Sequence, residues 1–266
     1  VFRTVPTDIK SLNRLGLPPV LKQLGKELSG LILVTGPTGS GKSTTLAALL
    51  HEINLHQSRY ILTLEEPIEF VHSNNKSFFC QREVGRDMPG FQAGLRAATR
   101  QNCDVILVGE MRDYETISLA LSAATMGKLV LGTLHTNSAI KTVNRIIDAF
   151  PPDEQWKARN MLADGLQGIC AQILLKKKGG KGRMAANEIL LSTQGLASSI
   201  REGDTSSISN IIQSGKARGM QFMDDDIELK LQQGVIDAHE AYMKAHNKAR
   251  FKLFRKDTEE EHTSAD

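Results

Sequence analysis

The sequence predicts a doubly wound α/β fold, in which helices cover both faces of a mainly parallel sheet. Three observations support this prediction. Between residue 31 and about residue 150, short apolar runs alternate with segments of helical periodicity. The strand segments are continuously apolar, as expected for parallel strands buried on both faces. A helical segment also follows each strand, which is the arrangement of βαβ units.

The elements of the first half follow from these patterns. Runs such as LILVT and DVILV are apolar throughout and end at glycine or at polar residues, which favours buried strands. The segments between them repeat apolar residues at helical spacing. Strands are therefore predicted at 31–35, 60–64, 104–108 and 129–134, and helices at 42–53, 91–100, 114–126 and 138–150.

Beyond residue 150 the pattern changes. Pro151 and Pro152 interrupt the chain, and a helix is expected to begin at Asp153, with this residue as its cap. Residues 171–175 and the stretch RMAANEILL predict two strands joined by the turn KKKGGKG. From Thr193 onward, short apolar segments broken by glycine and polar pairs predict a C-terminal helical appendage of four helices.

Composition restricts the class of protein. Apolar residues make up 40% and charged residues 24%, as in ordinary soluble domains. No apolar stretch approaches the roughly 20 residues of a membrane helix, and the start resembles no signal peptide. The chain lacks an initial Met, so we expect it to be a piece of a longer protein. Its three cysteines are scattered, which disfavours a disulfide framework or zinc site and favours a cytosolic location.

The strongest motif is a phosphate-binding loop. The segment GPTGSGKS matches G-x-x-x-x-G-K-[ST], and it lies between a predicted strand and a predicted helix. Glycines allow backbone amides to approach phosphate oxygens, and the helix N-terminus adds a partial positive charge. In this motif Lys42 binds the β- and γ-phosphates and Ser43 ligates Mg²⁺. The predicted nucleotide-binding residues are Gly36, Pro37, Thr38, Gly39, Ser40, Gly41, Lys42, Ser43 and Thr44.

Further polar residues follow the neighbouring strands, at the edge where ligands bind in an open α/β sheet. Glu110 follows one strand, His135 another, and Glu65, Glu66 and Glu69 lie at the end of a third. Each also has an ordinary interpretation. Glu110 is alternatively a helix cap, His135 a structural histidine, and the three glutamates an exposed acidic turn.

Arginines are candidate contacts for the charge that develops on a transferred phosphoryl group. Several fall between the candidate acids, and at this density any of them is alternatively a plain surface residue. They are Arg82, Arg86, Arg96, Arg100 and Arg112.

Five motifs in order resemble the secretion ATPases of the type II/type IV superfamily, and most closely the type IV pilus retraction ATPases. They are GPTGSGKST (36–44), LEEPIEFVH (64–72), QREV (81–84), VGEMRD (108–113) and GTLHT (132–136). The resemblance extends from residue 1 to about 250. It implies a RecA-like core at 30–192, a linker at 1–29 from an absent N-terminal domain and a helical subdomain at 193–254. The charged composition of residues 255–266 predicts a disordered tail.

The resemblance also implies residue roles. Glu110 would be the catalytic acid that positions or activates water, and His135 would sense the γ-phosphate. Glu65 would lie near Mg²⁺, which Ser43 binds and which Glu110 contacts through water. The arginines Arg82, Arg96 and Arg100 would contact phosphate or a neighbouring subunit.

The expected assembly is a homo-hexameric ring in the cytoplasm, peripheral to the inner membrane, that hydrolyses ATP and drives a membrane platform protein of the pilus. Two departures from the family pattern concern the retraction role. Glu66 replaces the usual aspartate, and the stretch LASSIRE at 196–202 keeps only the last three positions of a family motif well. Motors for secretion or pilus assembly carry the same catalytic residues, although assembly motors often have a four-cysteine loop that is absent here.

Two further functions are weighed. A DNA-translocating ring would be expected to add a basic groove with stacking aromatics. The densest basic cluster, KKKGGKGR at 176–183, contains no aromatic residue, so no nucleic-acid partner is expected. This cluster is interpreted as a solvated hairpin tip, or otherwise as a contact for an acidic partner or membrane surface. A nucleotide-binding scaffold that does not hydrolyse ATP is the other alternative.

Overall fold

The computed structural model describes residues 8–252, which contain seven β-strands and ten α-helices. The strands are β1 Gly30–Thr35, β2 Tyr60–Glu65, β3 Phe78–Glu83, β4 Val105–Val108, β5 Leu129–Leu134, β6 Leu166–Lys176 and β7 Arg183–Leu191. The helices are α1 Val20–Leu24, α2 Lys42–His56, α3 Phe91–Thr99, α4 Tyr114–Thr125, α5 Ala139–Asp148, α6 Gln155–Gly165, α7 Gln194–Glu202, α8 Ile208–Ser214, α9 Met223–Gln232 and α10 Ala238–Lys244.

All seven strands form one sheet in the order β3-β2-β4-β5-β1-β6-β7. β1 lies in the centre and pairs in parallel with β5 and β6. β6 and β7 are antiparallel, so the sheet is mixed but mainly parallel. The residues of β1, β4 and β5 are fully buried, as their continuous apolar sequences predict. The predicted α/β class with a C-terminal helical part is confirmed.

Two local predictions were incomplete or wrong. β3 was not predicted, because this edge strand carries polar residues and is only partly buried, which weakens the apolar signal. The expected cap at Asp153 was wrong, since residues Pro152–Glu154 form a 3-10 turn before α6. Within it Glu154 N donates to Pro151 O at 2.8 Å, and no side chain caps α6.

The C-terminal helices divide between two hydrophobic clusters. α7 and α8 place Leu196, Ile200 and Ile208 in the main core. α9 and α10 instead pack with the ends of β6 and β7 in a second cluster that includes Ile227 and Phe251. The boundary at residues 192 and 193 stays a prediction, since two of the four helices continue the main core.

The segment before β1 also contributes to the main core. Leu12, Leu17, Leu21 and Leu24 are buried there. The predicted linker 1–29 therefore includes a part that packs against the core, and its first seven residues lie outside the described region. The predicted tail 255–266 also lies outside it. Within residues 8–252, no helix is both long enough and apolar enough to span a membrane.

Candidate active site

The phosphate loop connects β1 to α2 in a tight backbone path. Gly36 has φ +147°, and a Cβ on it would lie 2.1 Å from the carbonyl oxygen of Gln172 on β6. Gly41 precedes α2 in the left-handed conformation, with φ +85°. Both positions require glycine, because a side chain would either clash or strain the backbone. The loop thus opens onto the N-terminus of α2, where unpaired amides favour an anion.

Lys42, the first residue of α2, folds back over the loop. Its Nζ donates to the carbonyl oxygens of Gly36 at 2.9 Å and Pro37 at 3.2 Å. Partial burial lowers the pKa of Lys42, while the charges of Glu110 and Glu69 oppose this effect. The ammonium is therefore held at the loop in partly desolvated surroundings, where its attraction to an anionic phosphate is stronger than in bulk water.

The predicted acids and histidine converge on this loop. Glu65 ends β2, Glu110 follows β4 and His135 follows β5, so the carboxyl ends of adjacent strands bring them to one edge of the sheet. They line a cleft of about 520 Å³ together with the loop. Its other lining residues are Thr38, Gly39, Gly41, Lys42, Ser43, Thr44, Glu66, Pro67, Glu69, Phe91, Gly109, Thr133, Leu174 and Arg183.

The carboxylate of Glu110 is fixed by two partners. Its Oε1 lies 2.8 Å from Nε2 of His135, and its Oε2 accepts from Nη2 of Arg112 at 2.6 Å. A second hydrogen bond joins Nε of Arg112 to Oε1. The bond with Arg112 is the main cause that lowers the pKa of Glu110, against the opposing effect of burial. Glu110 is therefore ionised at neutral pH and able to accept a hydrogen bond or a proton.

The alternative role of Glu110 as a helix cap does not apply. Asp113 is the cap of α4, since its carboxylate accepts from N and Oγ1 of Thr116, both at 2.9 Å. The two acids of the segment VGEMRD thus have different positions. Asp113 stabilises the helix, whereas Glu110 faces the cleft.

Glu65 does not belong to an exposed acidic turn. Its side chain is partly buried, and its Oε1 accepts from Oγ1 of Thr63 at 2.7 Å and Nε2 of Gln81 at 3.2 Å. Burial raises the pKa of Glu65, and these hydrogen bonds oppose the rise. Glu66, the departure from the family pattern, is exposed and also lines the cleft.

The arginines predicted from the sequence are not among the described residues that line the cleft. Of the described residues that line the cleft, only one is an arginine, Arg183 on β7. It was included in the basic hairpin and was missed as a site residue, since no local motif marks it. Arg96 pairs with Glu115 on α4, Arg82 lies on edge strand β3 and Arg100 follows α3. Contacts of these three with phosphate or a neighbouring subunit stay a prediction.

The fold and the cleft define an ATPase of the P-loop class with a RecA-like core, because a glycine-rich loop, a helix N-terminus and an ionised carboxylate meet at the carboxyl edge of a parallel sheet. Residues 10–264 match the sequence profile of the Type II/IV secretion system protein family. The chain belongs to this family.

Similar proteins support this assignment. The type IV pilus retraction ATPase PilT of Pseudomonas aeruginosa is 49% identical over 92% of this chain and 71% of its own length. A twitching motility protein of Neisseria gonorrhoeae is 47% identical over 93% of this chain and 66% of its own length. A crystal structure of the pilus retraction motor PilT with bound ADP superimposes with a TM-score of 0.87, at 44% identity, over 93% of this chain and 70% of that chain.

Proposed function

We propose that this chain is the ATP-hydrolysing unit of a motor that retracts type IV pili. The observation that carries the hydrolytic part is the position of Glu110 in the same cleft as Lys42, with its carboxylate bound to His135 and Arg112. The retraction role is supported by the two relatives named for pilus retraction and twitching motility.

In the proposed mechanism the residues act mainly by position and charge. The backbone amides of the loop and the ammonium of Lys42 bind the β- and γ-phosphates. Glu110 accepts a hydrogen bond from the attacking water and thereby orients this water. His135, which is bound to Glu110, senses the γ-phosphate. Phosphoryl transfer depends chiefly on such positioning, since little covalent chemistry is required of the protein. Arg183 is a further candidate contact for the nucleotide.

The chemistry of the cleft also fits Mg²⁺. The Ser43 hydroxyl and the carboxylates of Glu65 and Glu110 are oxygen donors, which Mg²⁺ prefers. Within residues 8–252, no cluster of three or more His, Cys, Asp or Glu side chains is arranged as a metal site. When bound, Mg²⁺ neutralises charge on the phosphate oxygens.

Two substitutions test the assignment. Glu110→Gln is expected to retain ATP binding but to lose turnover, because the amide keeps the size of the side chain and loses its negative charge. Lys42→Ala is expected to lose both. Nucleotide binding by calorimetry and steady-state phosphate release separate these outcomes. Wild-type turnover in Glu110→Gln would refute the role of this carboxylate, and binding without turnover in the native protein would indicate a scaffold.

We further propose a homo-hexameric ring, peripheral to the cytoplasmic face of the inner membrane, that acts on a platform protein of the pilus. Arginines from a neighbouring subunit would then complete the active site, so a monomer would be slow. Light scattering with and without Mg-ATP measures the mass of the assembly. A mass that stays at one chain, together with full activity, would contradict the ring.

A secretion or pilus-assembly motor is the second candidate. It is favoured by a putative type II secretion protein E of Escherichia coli, which is 44% identical over 63% of this chain. The segment 196–202, whose sequence departs from the retraction-family motif, lies within α7. Its Arg201 pairs with Asp164 on α6. Deletion of the gene separates the two functions. Excess surface pili indicate a retraction motor, whereas loss of pili or of a secreted protein indicates the alternative.

A further inference from the structure

A buried glutamine on β6 lies against the phosphate loop and the start of α2. Gln172 is 1% exposed. Its Nε2 donates to the carbonyl oxygen of Ser40 at 2.7 Å, and its Oε1 accepts from Oγ1 of Thr45 on α2 at 2.8 Å. Its own carbonyl oxygen is the atom that a side chain at Gly36 would meet. The Gln172 side chain therefore joins the end of the loop to the first turn of α2, and its backbone lies close to the beginning of the loop.

The hydrogen bonds continue from Gln172 to the C-terminal helices. Asn187 lies opposite Gln172 in the β6–β7 pairing, and its Nδ2 donates to Gln172 Oε1 at 3.1 Å. The backbone N of Asn187 donates to Oδ2 of Asp226 on α9 at 2.7 Å. Asp226 in turn pairs with Lys230 one turn later in the same helix. These four residues, Gln172, Asn187, Asp226 and Lys230, are each more than nine-tenths buried, so water does not readily replace a lost hydrogen-bond partner.

A second connection joins α9 to the segment that follows His135. The buried carboxylate of Glu188 accepts from N of Ala139, the first residue of α5, at 2.7 Å. It also accepts, at the longer distance of 3.5 Å, from N of Met223 at the start of α9. Asn187 thus connects α9 to Gln172 beside the phosphate loop, and Glu188 connects α9 to α5.

We propose that Gln172 is a positioning residue for the phosphate loop, and that Asn187 and Asp226 extend its effect to α9, so that nucleotide binding stabilises this helix. The inference rests on the proposed binding of nucleotide at the loop. The physical reason is that the Gln172 amide uses its donor and its acceptor at once. A shift of the loop leaves the Gln172 amide without a partner, and a shift of α9 leaves the buried N of Asn187 without one, so the two segments favour one common arrangement.

The test compares two glutamines of β6. Gln172→Met removes all three side-chain hydrogen bonds, those with Ser40, Thr45 and Asn187, at similar volume. Gln167→Met is the matched control, since Gln167 donates to Ser29 O at 3.1 Å near the opposite end of the strand. Calorimetry with Mg-ADP, on variants whose circular dichroism shows a native fold, is expected to give about tenfold weaker binding for Gln172→Met. Gln167→Met is expected to bind as the native protein does.

Hydrogen exchange supplies the second measurement. Mg-ADP is expected to slow exchange over residues 223–232 in the native protein and in Gln167→Met, and not in Gln172→Met. Residues 194–202 of α7 serve as the internal reference, because α7 packs in the main core rather than with α9. A merely structural role of Gln172 would change stability without removing this response.

Three results would overturn the inference. Native affinity in Gln172→Met would show that the amide does not position the loop, and unchanged exchange of α9 on ADP binding would remove the coupling. If Gln172→Met does not fold, Thr45→Val serves as the second variant, because it removes the hydrogen bond from Thr45 to Gln172 at similar size. Thr45→Val is expected to weaken ADP binding several-fold. Native affinity of Thr45→Val for ADP would overturn the proposal. A native protein that does not bind ADP would instead refute the proposed function, and the inference with it.

Discussion

The imidazole Nε2 of His135 lies 2.8 Å from Oε1 of Glu110, although 25 positions separate the two residues in the chain. They meet because β4 and β5 are adjacent and parallel, so their carboxyl ends place the following residues side by side. The same carboxylate is bound by Arg112. Glu110 therefore has a fixed orientation and a lowered pKa before any nucleotide binds.

Removal of Arg112 is expected to change the pH dependence of turnover. The hydrogen bond from Arg112 is the main cause of the lowered pKa of Glu110, so Arg112→Ala raises this pKa toward its ordinary value. Because the proposed role needs the ionised carboxylate, activity is expected to fall at a higher pH on the acid side of the profile. Arg86→Ala is the control, since exposed Arg86 pairs with Asp87 outside the residues that line the cleft. Coincident acid limbs for all three proteins would contradict this prediction.

Substitution at Gly36 is expected to abolish tight nucleotide binding. A Cβ there would lie 2.1 Å from Gln172 O, which is backbone and unable to move aside cheaply. The loop of Gly36→Ala must shift, and we expect at least a hundredfold loss of ADP affinity, or about 3 kcal/mol. Gly127→Ala provides the control, because Gly127 also has positive φ, at +92°, but no atom lies within 4 Å of its added Cβ. It should lose about 1 kcal/mol of stability and retain affinity. Equal affinities of the two variants would refute the close approach.

Asp113 is expected to support the stability of the fold, whereas Glu110 supports turnover. Asp113→Ala removes the cap of α4 and should lower the free energy of unfolding by about 1 kcal/mol, measured in urea. Asp113→Ser retains an oxygen that caps the helix and should restore most of this stability. Turnover of the folded protein is expected to stay near the native value in both variants. A loss of turnover with unchanged stability would instead assign Asp113 to the chemistry.

His72 is expected to make the fold sensitive to acid. Burial lowers its pKa from 6.5 to about 4, and its ring stacks on Phe79 at 4.5 Å between centroids. Between these two pH values the unfolded chain binds a proton that the native state excludes, so the free energy of unfolding falls as the pH decreases. A decrease of the pKa from 6.5 to about 4 corresponds to a loss of about 3 kcal/mol in the free energy of unfolding once the pH reaches the lower of the two values. Glu65 acts in the opposite direction, because its raised pKa favours the native state in acid.

Urea unfolding between pH 7 and pH 4 measures this effect. His72→Phe preserves an aromatic ring beside Phe79 and should show a smaller loss of stability in acid than the native protein. His56→Gln is the control for the loss of a histidine, since the side chain of His56 is 64% exposed. Parallel curves for the native protein and His72→Phe would exclude His72 as the cause.

Much of the fold could be predicted because its signals are local. The continuous apolar runs of β1, β4 and β5 indicate parallel strands buried on both faces, and the strand–loop–helix context of residues 36–43 indicates a phosphate site. Edge strand β3 was missed because half-buried strands carry a weak apolar signal. Asp153 was assigned as a cap from its residue type alone, although a 3-10 turn occupies that position.

The sequence by itself determined the doubly wound class, the phosphate loop and the edge of the sheet at which Glu65, Glu110 and His135 meet, because the succession of strands and helices along the chain follows from local patterns. Only the tertiary structure decided which side chains touch. The bond between Glu110 and His135, the entry of Arg183 into the cleft and the path from Gln172 to Asp226 join residues that are distant in the chain. Such contacts depend on strand pairing and side-chain packing, which no local pattern specifies.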